Sequence, residues 1–226
     1  NGVLFFTFSD GVHGSELWKS DGTEAGTVIV KDIRLGKFGS SPQGLINING
    51  TIFFAADDGV HGSELWKSDG TETGTVMVKN INIANSSSSP SNFTDVNGTL
   101  FFAAGDGVHG RELWKSDGTE AGTFMVKNIS ENIYDYAGNM TFLQSLTNVN
   151  GTLFFTANDG VSGSELWKSD GTEMGTIMVK NIGIVGESNI KKLIDVGGAL
   201  FFTRYLGAGY EQLWKSDGTE AGTVLV

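Results

Sequence analysis

The stretch LWKSDGTE, one further residue and GT occurs five times in 226 residues, and its tryptophans, Trp18, Trp66, Trp114, Trp167 and Trp214, are separated by 48, 48, 53 and 47 positions. A period of this length, repeated across the whole chain, means one supersecondary unit used again and again, each copy burying its apolar surface against the next. The fold must therefore be a series of near-identical pieces.

One period reads as four short strands. In the second copy GLINING runs into Asn49-Gly50, a two-residue hairpin signal, and then into TIFFAAD. The turn-rich DDGVHG leads to SELWKS, and DGTETG reverses the chain into TVMVKNI. Apolar residues stand in adjacent pairs, such as Phe53-Phe54, Leu65-Trp66 and Phe101-Phe102. Neighbours on a strand point to opposite faces, so both faces of each sheet need cover. Four-stranded units stacked around an axis satisfy that demand.

The expectation is thus an all-β, five-bladed β-propeller of four-stranded antiparallel blades, with repeats at about 1–33, 34–81, 82–129, 130–182 and 183–226. A parallel β-helix is the rival, and the hairpin signals weigh against it. Within this sequence the first blade lacks its innermost strand, leaving a strand position open to a neighbouring segment or to self-association.

Composition bounds the partners. The net charge is −11, from 26 acidic and 15 basic residues, which disfavours nucleic acid because no basic patch offers counterion release. There is no cysteine, hence neither disulfide nor thiolate metal site, and no apolar run long enough to insert into a membrane as a helix.

The shared residues divide into frame and candidate site. The five tryptophans are expected to be structural wedges between blades, and DGTExGT (Asp21 to Thr27 in the first copy) a self-closing turn. A trio of Asp10, His13 and Glu16 recurs as Asp58, His61, Glu64 and as Asp106, His109, Glu112; the fourth copy has Asp159, Ser162 and Glu165. The fifth has Leu206, Gly209 and Gln212, a joint loss that suggests mutual contact or a shared ligand. Ca²⁺ is the candidate cation for the paired carboxylates Asp10/Glu16, Asp58/Glu64, Asp106/Glu112 and Asp159/Glu165. In the alternative, Asp caps its turn, His packs over it and Glu pairs with a lysine on an adjacent strand. The connections between repeats vary most, and the longest carries Tyr134, Tyr136, Asn139 and Phe142, a set suited to stacking on and hydrogen bonding a glycan. No serine nucleophile stands at catalytic spacing from a His and an acid, so the chain is expected not to be an enzyme.

ELWKSDGT at Glu16, Glu64, Glu112 and Glu165, with QLWKSDGT from Gln212, resembles the ELWxxDGT repeat proteins over the whole chain. That resemblance implies a bacterial, extracellular or cell-surface repeat module and supplies no site residues. The function expected from these readings is a non-catalytic extracellular interaction module, presenting variable loops to a glycan or protein surface. A structural subunit of a surface fibre or adhesin is the second reading and a secreted hydrolase the third.

Overall fold

The computed structural model describes residues 2–84, 86–130, 143–183 and 189–226, and over these it is all-β, in five antiparallel sheets. The first sheet has three strands, β1 (Leu4–Ser9), β2 (Ser15–Ser20) and β3 (Val28–Lys31). The second contains β4 (Gln43–Ile48), β5 (Thr51–Asp57), β6 (Ser63–Ser68) and β7 (Val76–Lys79). The third contains β8 (Ser91–Val96), β9 (Thr99–Gly105), β10 (Arg111–Ser116) and β11 (Phe124–Lys127). The fourth contains β12 (Leu143–Val149), β13 (Thr152–Asn158), β14 (Ser164–Ser169) and β15 (Ile177–Lys180). The fifth contains β16 (Asn189–Val196), β17 (Ala199–Tyr205), β18 (Glu211–Ser216) and β19 (Val224–Leu225). Strands follow chain order within every sheet, so each is a meander, and the first sheet lacks the strand that opens the others.

Local chemistry sets these meanders. At the first hairpin Asn49 and Gly50 take φ of 52° and 88°, and Asn150 and Gly151 take 50° and 82°, the doubly left-handed turn that asparagine and glycine tolerate. Asn47 and Asn148 each accept the glycine N–H through Oδ1, at 2.9 Å in both copies. The DGTExGT turn closes on itself: Asp69 Oδ1 accepts from the Thr71 amide and hydroxyl, and Thr71 Oγ1 accepts the Gly74 N–H. Ser68 and Thr75 join hydroxyls across its base, where both are buried. Turn and side chains account for one another without a ligand.

The paired apolar residues cover both faces, as their spacing predicts. Phe54 and Trp66 pack toward the first sheet, in one cluster with Leu17 and Val30. Phe53 and Leu65 pack the other way, with Phe102 and Trp114 of the third sheet. The same joint recurs between the third and fourth sheets and between the fourth and fifth. Trp66, Trp114 and Trp167 are buried wedges, whereas Trp18 and Trp214, in the end sheets, are half-buried.

The two end faces stand open. Leu17, Leu65, Leu113 and Leu166 are fully buried, but their counterpart Leu213 is 46% exposed, and Leu4 is 63% exposed where Leu100 and Leu153 are fully covered.

Candidate functional site

The DGVHG loops and the connections between sheets share one face. Gly14 abuts Lys37 and Gly39, Gly62 abuts Ser86 and Ser87, and Gly107 abuts Asn82. The Asn-Gly and DGT turns share the other, where Asn150, Gly198, Asp217 and Gly218 line one recess. This is the division the meander predicts, and it places the repeated Asp–His–Glu trio on the face of the connections.

The structure splits that trio. Asp10 Oδ1 accepts the N–H groups of Val12 and His13, both at 2.8 Å, and its Oδ2 meets His13 Nδ1 at 2.6 Å. The same knot forms at Asp58–His61 and Asp106–His109, with Nδ1–Oδ2 distances of 2.7 Å, and Ser162 replaces the histidine opposite Asp159. These N–H donors hold the Asp10 carboxyl at about 2, well below the ordinary range, and the Asp10 carboxylate raises the His13 imidazole.

The glutamate faces elsewhere. Glu16 is fully buried and accepts from the amides of Ile33, Arg34 and Ser40 and from the Ser40 hydroxyl. Glu64 repeats this with Ile81, Asn82 and Ser88; Glu112 bonds Ile129 and Ser130, and Glu165 bonds Ile182 and Gly183. Each such carboxylate gathers the backbone leaving its own sheet, and Glu16 and Glu64 also gather the residue that enters the next. Burial raises the Glu16 and Glu64 carboxyls and pushes Glu112 up to about 7, while the amide donors pull the other way.

Asp and His are therefore brought together, and Glu is turned into the joint. The expected Glu–Lys pairing is replaced by amide and serine donors. Among the described residues no three His, Asp or Glu side chains are grouped as a cation would need, and the carboxylates named for Ca²⁺ (Asp10, Glu16, Asp58, Glu64, Asp106, Glu112, Asp159, Glu165) take protein donors instead. The aromatic connection bearing Tyr134, Tyr136, Asn139 and Phe142 lies outside the described residues.

Sequence reasoning missed the lysines of the motif. Lys19 Nζ donates to the Gly70 carbonyl of the next sheet's DGT turn at 2.8 Å, as do Lys67 to Gly118, Lys115 to Gly171 and Lys168 to Gly218 at 2.7–2.8 Å. A second row, Lys31, Lys79, Lys127 and Lys180, reaches the carbonyls of Thr75, Thr123, Thr176 and Thr223. The available signal was their recurrence beside Trp in all five copies and after Val in four, in positions that surface charge alone would leave variable.

No protein-family model matches the chain, and no curated protein matches it by sequence. Solved structures do resemble it. A prolyl endopeptidase superposes over 99% of this chain and 33% of its own, with a TM-score of 0.62 and 12% identity. A puromycin hydrolase variant complexed with PGG covers 100% of this chain and 36% of its own, at 0.57 and 15%. Oligopeptidase B from Leishmania major covers 100% and 32%, at 0.55 and 10%. The chain thus spans about a third of the length of each, and the likeness supports a propeller-type arrangement of its sheets. It also corrects the functional expectation. The fold neighbours are peptidases and a hydrolase, of which this chain matches one portion, and this overturns the reading as a self-standing glycan- or protein-binding module or a fibre or adhesin subunit.

Proposed function

We propose that this chain is a peptidase-associated domain: a non-catalytic series of propeller blades that accompanies a catalytic unit and governs the approach of peptide substrates to it. The observation that carries the reading is the superposition of nearly the whole chain on a third of a prolyl endopeptidase, with puromycin hydrolase and oligopeptidase B alongside. The chemistry of the chain agrees with an accessory role. Its Asp–His knots are held by their own loop amides, and in the fourth copy the serine replaces the histidine opposite Asp159. The ELWxxDGT resemblance fits this reading as the repeat from which the blades are built.

The test uses the native protein. An antibody against this chain should precipitate a polypeptide that cleaves proline-containing peptide p-nitroanilides, while the purified 226-residue chain alone should not cleave them. A native precipitate without peptidase activity would refute the proposal, and so would turnover by the isolated chain.

A further inference from the structure

The repeat is dense in one chemically fragile dipeptide. Nine Asp-Gly and three Asn-Gly pairs lie among the described residues. In such a pair the glycine nitrogen can attack the side-chain Cγ of the residue before it, because glycine has no Cβ to obstruct the five-membered ring that closes. For asparagine the new N–Cγ bond displaces the side-chain nitrogen, which leaves as ammonia with the proton shed by the glycine; for aspartate, water leaves. Water then opens the succinimide at either carbonyl and gives aspartate or isoaspartate. Isoaspartate carries the side-chain methylene in the main chain, and in a two-residue turn such as Asn49-Gly50 the extra atom breaks the register of the hairpin.

All but two of these glycines have the attacking nitrogen tied. In the DGT turn the Gly70 N–H donates to the motif serine, Ser68 Oγ, at 3.0 Å, and the other four copies repeat the bond at 2.9–3.0 Å. At the first hairpin Gly50, Gly98 and Gly151 donate to Oδ1 of Asn47, Asp95 and Asn148 at 2.8–2.9 Å. There the departing amide is held as well: Asn49 Nδ2 lies against Gly98, Asn97 Nδ2 lies against Gly151, and Asn150 Nδ2 reaches the Gly198 carbonyl at 3.4 Å. In the DGVHG-type loops Gly59 and Gly160 donate to Asp57 and Asn158. The first and third copies have Ser9 and Gly105 at that position, and the Gly11 and Gly107 N–H groups meet no acceptor among the described residues. At those two pairs only the carboxylate is tied, as Asp106 is by the amides of Val108 and His109 and by His109 Nδ1.

We propose that these ties guard the chain against succinimide formation: Asn49, Asn97 and Asn150 are latent deamidation sites held shut by Asn47, Asp95 and Asn148, and Asp106 is a latent isomerisation site held shut by His109. To attack, the nitrogen must give up its proton and swing toward Cγ, and a bond from its N–H to a fixed oxygen opposes both movements; a tied carboxylate or amide resists the approach from the other side. The fifth hairpin separates this chemistry from the shaping of the turn. Asp195 ties the Gly198 N–H at 2.8 Å, but the residue before Gly198 is Gly197, which has no Cγ to be attacked. The inference is independent of the peptidase-associated reading.

Timed incubation at mildly alkaline pH, read by peptide mapping in the mass spectrometer with isoaspartate detection, tests it on the folded chain, and the same chain in urea gives the unguarded rate. Folded wild type should convert at Asn49 far more slowly than the unfolded chain. Asn47→Ala, its fold checked by circular dichroism, should speed deamidation of Asn49 about fivefold or more, the rate equivalent of one hydrogen bond, and leave Asn97 at its wild-type rate. Asn47→Asp keeps an acceptor, as Asp95 does in the next copy, and should restore the protection. Asp195→Ala removes the same tie where no asparagine follows and should leave Asn49 unchanged. His109→Ala should bring isoaspartate to Asp106, whereas His61→Ala should bring none to Asp58, because Gly59 stays tied to Asp57. Conversion of Asn49 in the folded wild type as fast as in urea overturns the proposal. So does an unchanged rate in Asn47→Ala, an equal acceleration by Asp195→Ala, or isoaspartate arising equally at Asp58 and Asp106 in the two histidine variants.

Discussion

Lys67→Met and Lys215→Met make the same chemical change at equivalent positions of two copies, and the structure assigns them different costs. Lys67 Nζ donates to the Gly118 carbonyl at 2.8 Å across the joint between the second and third sheets, while Lys215 Nζ reaches no carbonyl among the described residues. Methionine keeps the apolar stem and removes the charged donor. A hydrogen bond to a charged group contributes about 1.5–3 kcal/mol, reduced here by partial exposure to about 1–2 kcal/mol. For a chain of this size that is a fall in the melting midpoint of about 3–6 °C for Lys67→Met. The change at Lys215 should stay within about 0.5 kcal/mol. Differential scanning calorimetry of the three proteins decides it. Equal shifts at both positions would show that the lysines act through general charge and not through the joint, and would remove the basis for treating sheet contacts as one repeated interface.

The glycine pair supplies a second contrast. Gly118→Ala suffers both the left-handed φ of 87° and a close approach to Phe53, whereas Gly22→Ala, at φ of 92°, has open space; denaturant titration should find the first more destabilising by about 1 kcal/mol or more. Glu64→Ala strands the buried amides of Ile81, Asn82 and Ser88 and should cost about 3–5 kcal/mol, while Gln212→Ala, in the half-buried fifth-copy position, should cost under about 1 kcal/mol in the same titration. Stability should also fall as pH rises from 5 to 8. With burial holding Glu112 at about 7, above its unfolded value, the folded chain binds more protons than the unfolded one across that window, and the loss on deprotonation is at most about 3 kcal/mol. Aspartates such as Asp10, at about 2, act in the opposite sense and lose their contribution only as pH falls through their folded values, so urea midpoints should peak on the mildly acidic side of neutrality. Glu112→Gln should flatten the slope above pH 5.

Much of the frame was legible in the primary structure because each signal was local or periodic. Asn49-Gly50 announces a doubly left-handed turn by steric tolerance alone, and adjacent apolar pairs such as Phe53-Phe54 require two covered faces whatever covers them. The missing opening strand of the first sheet followed from the same count of strands per copy. Glu64 was a different problem. Its partners are backbone amides of residues 81, 82 and 88, and a backbone N–H has no letter in the sequence, so a carboxylate seen beside aspartate and histidine suggested a cation in place of a clasp. Lys67 escaped for the same reason, since its acceptor is a main-chain carbonyl 51 residues away.

The joint loss of the trio in the fifth copy illustrates how one pattern can have two causes. Asp10, His13 and Glu16 are replaced together by Leu206, Gly209 and Gln212, and a shared ligand would explain a coordinated loss. The structure supplies a separate reason at each position. The glutamate gathers the connection that leaves its sheet, as Glu16 holds Ser40 at the entry to the second, whereas Gln212 Oε1 accepts from Trp214 Nε1 of its own strand. The Asp–His knot shapes the loop between the second and third strands of a blade, and the fifth copy closes that loop differently, with the Leu206 N–H donating to the Tyr210 carbonyl and the Tyr210 N–H to the Gly207 carbonyl. The knot and the clasp thus have separate local partners, one within a loop and one at a joint, and their co-occurrence elsewhere requires no common ligand. Replacing Gln212 by Glu in this chain should leave its unfolding free energy within about 0.5 kcal/mol of the wild type, because among the described residues no connection amide meets that side chain. A clear gain in stability on that substitution would restore the case for a ligand or donor that the carboxylate recruits from outside the chain.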